Sequence, residues 1–213
     1  MPAPEFVHVI DDDEGVRLSL CALLDSMNYE AVPHASSEEF LARFSYDTAL
    51  CVVADLQLPG MGGLDLQSHL LSRAIDLPFI VITGYGDVPS AVRALKSGAT
   101  DFIEKPIEGK LFLTAVEKAA LARRAEKLKS DSKNLAKDRI LTLTPRELDV
   151  LRHLVAGNPN KIIAYELSIS PRTVENHRAR LMDKMQADSV AELIRMALLD
   201  GLEAAAATNH DQG

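Results

Sequence analysis

The chain has no tryptophan, only 5% aromatic residues and two cysteines. It has no apolar run near the ~18 residues that a membrane-spanning helix requires, which removes functions built on such helices. Cys21 and Cys51 lie in apolar-patterned segments, far from any C-x-x-C spacing. They read as reduced core thiols, not as a disulfide framework or a metal knuckle. The six histidines include no i, i+4 pair and no H-E-x-x-H, which argues against a helix-borne zinc hydrolase site. The opening stretch "MPAPEFVHVIDDDE" lacks a basic n-region and turns acidic where a signal peptide would be apolar. A cytoplasmic location is therefore expected.

Positive charge is also scarce, and unevenly so. Residues 1–124 carry 18 acids against 10 Lys/Arg, a net of −8, whereas residues 125–213 carry 13 of each. The acidic part is a poor surface for nucleic acid, and any such contact in the neutral part must come from local clustering.

Short β-rich runs alternate with amphipathic stretches over the first 124 residues. "FVHVI" (6–10), "EAVP" (30–33), "LCVVA" (50–54), "PFIVI" (78–82) and "DFIE" (101–104) read as strands. Helical patterns fall near 14–27, 36–44, 64–73, 88–97 and 108–124. Ser36 with Glu39 forms a capping-box pattern, and Asp87 is placed to cap the fourth helix, which Gly98 ends. Strict alternation with short connections predicts a parallel sheet covered on both faces, of flavodoxin-like order 2-1-3-4-5.

Residues 125–140 hold eight charged residues and neither Gly nor Pro. Leu121, Leu128 and Leu135 recur at a spacing of seven, which favours an extension of the fifth helix as a solvated helical linker and is too short a run for a coiled coil. After residue 140 the strand patterns stop. "TPRE" (144–147) supplies a Thr cap, a first-turn Pro and a capping-box Glu. Helices follow to Ala156, at about 160–167, at 171–185 and at about 189–200. These form a small all-α domain over 141–203, with a disordered tail at 204–213.

Ligands of an open parallel sheet bind outside the carboxyl ends of its strands. Strand one ends in Asp11, Asp12 and Asp13, strand three in Asp55, strand four in Thr83, and strand five in Lys105 followed by Pro106. Clustered carboxylates repel one another and favour a cation, and an oxygen-only donor set points to a hard ion such as Mg²⁺. An aspartate in such a cluster can act as a nucleophile toward phosphorus, with the metal and Lys105 neutralising charge. Asp13 reads as the cap of the first helix. "PGMGG" after Asp55 keeps the approach to it free of side chains. A dinucleotide loop in "GYGDVP" is rejected because Pro89 replaces the third glycine and the stretch follows the fourth strand. A dehalogenase-like phosphatase would need D-x-D after the first strand.

"VIDDDEGVR", "VVADLQLPGMGG", "VITGYGDV" and "FIEKP" together resemble the signature segments of a response-regulator receiver domain. The resemblance implies that Asp55 is the phosphoacceptor and that Asp11, Asp12 and the Gln57 carbonyl join it in holding Mg²⁺. It implies that Lys105 pairs with the phosphoryl group, that Thr83 is the switch hydroxyl, and that Phe102 is the aromatic moving with it. It also implies a cis Lys105–Pro106 bond.

The short helix at 160–167, the turn "SIS" and the helix from Pro171 form a helix-turn-helix pattern. Arg172, Arg178, Arg180 and Lys184 place four cations within thirteen residues, with Asn176 and His177 between them. "LTPRELDVLRHLVAGNPNKIIAYELSISPRTVENHRARLMDKM" resembles the LuxR-type helix-turn-helix of the NarL/FixJ family, and "GNPNKIIAYELSISPRTVE" leans toward the FixJ branch. By that resemblance, residues 171–184 are a recognition helix. Thr173, Glu175, Asn176 and Arg180 are base-edge candidates, and Lys161, Arg172, Arg178 and Lys184 are phosphate contacts. Ile107 departs from the aromatic that many FixJ-like receivers carry after Lys-Pro. The implied protein is a phosphorylation-switched transcription factor, not a metabolic enzyme. Its implied partners are a sensor histidine kinase, promoter DNA and RNA polymerase, and it is a monomer that dimerises when phosphorylated. The rival reading is a receiver whose helical domain docks a protein instead of DNA.

Overall fold

The computed structural model describes residues 4–84 and 88–205, without the side chains of 88–91. The Asp87 cap and most of the tail expected at 204–213 lie outside the described residues. The chain divides into two units, Met1–Glu126 and Lys127–Gly213. Among the described residues, no helix is long and apolar enough to cross a membrane.

The first unit is a parallel sheet of β1 (Phe6–Ile10), β2 (Glu30–His34), β3 (Ala49–Asp55), β4 (Phe79–Thr83) and β5 (Asp101–Glu104), in the expected order β2-β1-β3-β4-β5. The intervening helices are α1 (Glu14–Asp25), α2 (Ser37–Arg43), α3 (Gly63–Ser72), α4 (Val88–Lys96) and α5 (Gly109–Leu141). All seven residues of β3 are buried, as a central strand covered on both faces demands. Strand alternation divides the core. Val7, Val9, Leu50 and Val53 pack with Leu20, Leu24, Phe112 and Val116 of α1 and α5. Ile10, Val52 and Val81 pack with Phe40, Leu66, Leu70 and Ala94 of α2, α3 and α4. The caps follow the sequence pattern: Asp13 accepts from the Val16 amide and Ser36 from the Glu39 amide. Cys51 is buried, and burial pushes its thiol up to about 12; Cys21 is half-buried, and both are free.

The fifth helix extends for 33 residues, as the leucine spacing predicts. Leu121, Leu128 and Leu135 are exposed along it, yet the expectation of a wholly solvated segment does not hold to its end. Ala136 is fully buried, and Ile140 packs against the core of the second unit. The last turn of α5 therefore belongs to that unit.

The second unit continues with α6 (Pro145–Val155), α7 (Asn160–Glu166), α8 (Pro171–Met185) and α9 (Val190–Leu199). Thr144 and Glu147 form a complete capping box at α6, with Pro145 in the first turn. Val150, Leu151, Leu154, Ile163, Val174, Leu181 and Leu193 form one core, so α6, α7, α8 and α9 fold around a shared apolar centre.

Candidate functional site

The strand ends of the first unit bring its charged residues together. Asp11 and Asp55 are only 1% and 6% exposed. Lys105 Nζ donates to Asp11 Oδ2 at 2.7 Å and to Asp55 Oδ2 at 2.5 Å, bridging the two carboxylates. Their other oxygens take backbone donors, the Asp13 amide on Asp11 Oδ1 and the Gln57 amide on Asp55 Oδ1, both at 2.9 Å. Burial raises the pKa of Asp11 despite the opposing pull of Lys105. Burial works against the Lys105 ammonium, but Asp11 and Asp55 together outweigh it and raise its pKa. Asp12 is exposed beside them, and one carboxylate oxygen from each of Asp11, Asp12 and Asp55 lies within 4.8 Å of the others. A hard-oxygen cluster of that size fits a divalent cation of the Mg²⁺ type.

Thr83 is fully buried at the end of β4, and its carbonyl accepts from the Lys105 amide at 2.8 Å. Phe102 is half-buried against the core on the α2–α4 side of the sheet. The Lys105–Pro106 bond is cis. Sequence reasoning missed Arg17, whose Nη1 donates to the Asp11 carbonyl at 2.6 Å. It also missed the work of two glycines after Asp55. Gly60 has a φ of +80°, and a Cβ on Gly63 would lie 2.4 Å from the Asp55 carbonyl oxygen. The glycine at 63 lets α3 start directly against the backbone of Asp55, which is a closer requirement than an open approach. On the far side of that loop, Ser37 Oγ donates to the Met61 carbonyl and Glu38 accepts from the Met61 amide.

In the second unit, α8 follows α7 after a short turn. Ser170 caps α8 by accepting from the Thr173 amide, and Pro171 occupies the first turn. Val174, Leu181 and Met185 anchor the buried face, which leaves Arg172, Glu175, Asn176 and Arg180 exposed and Thr173 half-buried at its edge. Lys161 is exposed on α7. Arg178 is half-buried, and its Nη1 donates to Asn160 Oδ1 at 2.6 Å, which orients the guanidinium and leaves its remaining donors available. Lys184 also has partners within the unit. Its ammonium donates to Glu147 Oε2 at 2.7 Å and to the Thr142 carbonyl at 3.2 Å, which ties α8 to the start of α6.

Comparison with known families and structures covers both units. Residues 7–117 match the model of the response regulator receiver domain, and residues 141–197 match that of the bacterial regulatory proteins of the luxR family. The transcriptional regulatory protein FixJ of Rhizobium meliloti (strain 1021) is 48% identical over 92% of this chain and 96% of its own length. The chain belongs to the FixJ branch of the NarL/FixJ response regulators. Nodulation protein W of Bradyrhizobium diazoefficiens is 40% identical over 93% of this chain and 87% of its own. Among solved structures, the response regulator StyR superposes with a TM-score of 0.81 at 34% identity, covering 92% of this chain and 99% of that one. Full-length FixJ from B. japonicum gives a TM-score of 0.55 at 39% identity, covering 93% and 98%. This response regulator is thus a DNA-binding regulator of transcription, and the protein-docking alternative for its helical domain falls away.

Proposed function

We propose that Asp55 is the phosphoacceptor of this response regulator and that its phosphorylation switches DNA binding on. The carrying observation is the Lys105 ammonium held between Asp11 and Asp55 at the strand ends, with Asp12 completing an oxygen cluster. A sensor histidine kinase donates the phosphoryl group: its N–P bond breaks as an Asp55 carboxylate oxygen forms the new O–P bond. Water later cleaves that bond and releases phosphate. The chain contributes positioning and charge neutralisation to both steps, which makes it a self-catalysing switch and not a metabolic enzyme.

Asp11, Asp12, Asp55 and the Gln57 carbonyl would hold Mg²⁺, which when bound offsets the negative charge of the phosphoryl oxygens. Lys105 turns its donors to the phosphoryl group, and the Thr83 hydroxyl follows it. Phe102 fills the space that Thr83 leaves, which repacks the face of α4, β5 and α5. Small shifts of this kind convert into a new interface because packed cores are bistable. Two receivers then pair on that face, and two α8 helices engage adjacent half-sites of promoter DNA. Linkage of the two raises avidity by roughly 10²–10⁴ without any new contact. Lys161, Arg172 and Arg178 contact phosphates, and Thr173, Glu175, Asn176 and Arg180 read base edges. RNA polymerase is the further partner, and the cytoplasm the place of action.

Acetyl phosphate is the direct probe. Wild type is expected to take up label only with Mg²⁺ present, and Asp55→Asn to take up none. Labelling of Asp55→Asn, or labelling undiminished by EDTA, would falsify the assignment. Light scattering with and without beryllofluoride tests the second half: wild type doubles in mass, and Thr83→Ala does not.

A further inference from the structure

The family resemblance gives no task to Arg139, yet this side chain makes two of the well-defined polar contacts on α8. It stands in the last turn of α5, outside the helix-turn-helix. Its Nη1 donates to the Met185 carbonyl at 2.8 Å and its Nη2 to Gln186 Oε1 at 2.6 Å. Met185 ends α8, and its carbonyl is one of the acceptors that a helix C-terminus leaves without an intrahelical donor. Gln186, the C-cap, is a non-glycine residue in the left-handed region at φ 48°, and the guanidinium grips its side chain as well. A cation at a helix C-terminus is favoured by the helix dipole, and the rigid fork of an arginine fixes direction as well as distance.

The platform from which Arg139 reaches is itself fixed. Ala136 is fully buried one turn earlier, and Ile140 packs against the core of the second unit. Beside it, Lys184 joins the Thr142 carbonyl and the buried Glu147. The carboxyl end of α8 is therefore held by two side chains of other segments, Arg139 and Glu147, and by the Thr142 carbonyl. Its amino end is capped by Ser170, and its middle is tied to the start of α7 by the Arg178–Asn160 bond.

We propose that Arg139 is a positioning residue for DNA reading: it fixes α8 along its own axis, and so sets the register of Asn176 and Arg180 against base edges. The proposal rests on α8 being the recognition helix. Base-edge hydrogen bonds need donor–acceptor distances near 3 Å, whereas one residue of slide along a helix is about 1.5 Å. A fraction of that slide is enough to lose a bidentate contact. Phosphate contacts from long side chains tolerate it, because they follow a continuous backbone and carry no sequence information.

The experiment uses the full chain with beryllofluoride present throughout. A duplex selected by wild type from a randomised library is compared with its scrambled counterpart across a salt series, for wild type, Arg139→Ala, Arg139→Lys and Arg180→Ala. Circular dichroism confirms the folded fraction at the assay temperature. Arg139→Ala is expected to shrink the ratio of selected to scrambled affinity roughly tenfold, the scale of one lost base contact, with the salt slope unchanged. Arg139→Lys recovers part of the ratio, because an ammonium reaches one acceptor without fixing the other. An unchanged ratio overturns the proposal, as does a parallel loss on both duplexes that tracks the unfolded fraction. A salt slope lower by about one also overturns it, by making Arg139 a phosphate ligand. If Arg180→Ala also leaves the ratio unchanged, the reading of α8 is what fails, and the proposal falls with it.

Discussion

Replacing Lys184 by Met tests whether this cation braces the fold or meets DNA. Its partner Glu147 has a side chain only 3% exposed, and Glu147 Oε2 accepts from both Lys184 Nζ and the Thr144 amide. Burial alone would raise the pKa of this carboxyl; the Lys184 ammonium and the Thr144 donors reverse that and hold it at about 2 against an ordinary 4.5. At ~1.4 kcal/mol per pKa unit, the ionised acid contributes roughly 3 kcal/mol, shared among Lys184 and the cap. Breaking a buried pair from one side typically costs ~3–5 kcal/mol, but the Lys184 side chain is 35% exposed and water screens part of the attraction. A loss of roughly 2 kcal/mol at pH 7 is expected, about 10 °C in the melting of a unit this size. The folded pKa is depressed, so this contribution is complete above about pH 4.5 and is lost as pH falls through about 2. The gap between wild type and Lys184→Met therefore narrows as pH falls from 4.5 toward 2. With no tryptophan in the chain, urea unfolding followed by far-UV circular dichroism is the assay, completed as a cycle with Glu147→Gln. A cost under ~0.5 kcal/mol, below that of many exposed pairs, refutes the brace. So does a salt slope of DNA binding lower by about one, which would make Lys184 a phosphate contact after all.

Gly63→Ala places a Cβ 2.4 Å from the Asp55 carbonyl oxygen, so it should cost about 1–3 kcal/mol in the first unit and slow acetyl phosphate labelling. Normal stability together with normal labelling would remove that close contact from the account. His8 and His34 are buried, share a 3.0 Å hydrogen bond, and leave His8 Nε2 and His34 Nδ1 without a hydrogen-bond partner among the described residues. Burial first, and His34 second, lower the His8 pKa from 6.5 to about 4. The unfolded chain then binds more protons between those values, so the stability of the first unit should fall by up to ~3 kcal/mol as pH drops from 6.5 to 4. A flat profile over that window, or one unchanged by His8→Gln, contradicts the assignment. On DNA, Arg180→Ala and Asn176→Ala should relax base preference, whereas Lys161→Ala and Arg172→Ala should weaken all duplexes alike and lower the salt slope by about one each. Equal effects of all four on preference would show that the sorting of contacts is mistaken.

The elements that were legible in the sequence are those specified within a few residues. Buried β3 is an apolar run up to Asp55, and Ser36–Glu39 and Thr144–Glu147 mark their helices through three-residue spacings that need no tertiary information. The meeting of Asp11, Asp55 and Lys105 was legible one level up, because strand order places the carboxyl ends of β1, β3 and β5 on a single rim. What stayed hidden were the partners that charged residues find far away in the chain. Arg139 reaches across 46 residues to Met185, and Lys184 across 37 to Glu147; in the sequence Arg139 resembles any other solvated cation, and Lys184 reads as a phosphate contact. Arg123 is the same case, buried at 6% exposure, bonded to the Ala49 and Tyr46 carbonyls and lying 4.0 Å over the Tyr46 ring. A charge on a helix reads as surface until a partner is known.

Lys105 shows why the acidic rim can be both stable and ready to change. Two carboxylates that are almost fully buried cannot remain ionised together without a counter-charge, and Asp11 already feels burial strongly enough for its pKa to rise. One ammonium, 22% exposed and reaching both Asp11 Oδ2 and Asp55 Oδ2, provides that counter-charge without sealing the site. It is also a weak lock. An ammonium on a flexible stem has no preferred fork, so it can exchange one oxygen acceptor for another at little cost. On the proposed reading, Asp11 and Asp12 would hold a cation that supplies their counter-charge, which would leave Lys105 to follow the larger charge that appears on Asp55. An arginine there would hold the carboxylates more firmly and yield them less readily. The choice of lysine matches a site that must give up its resting contacts in order to work.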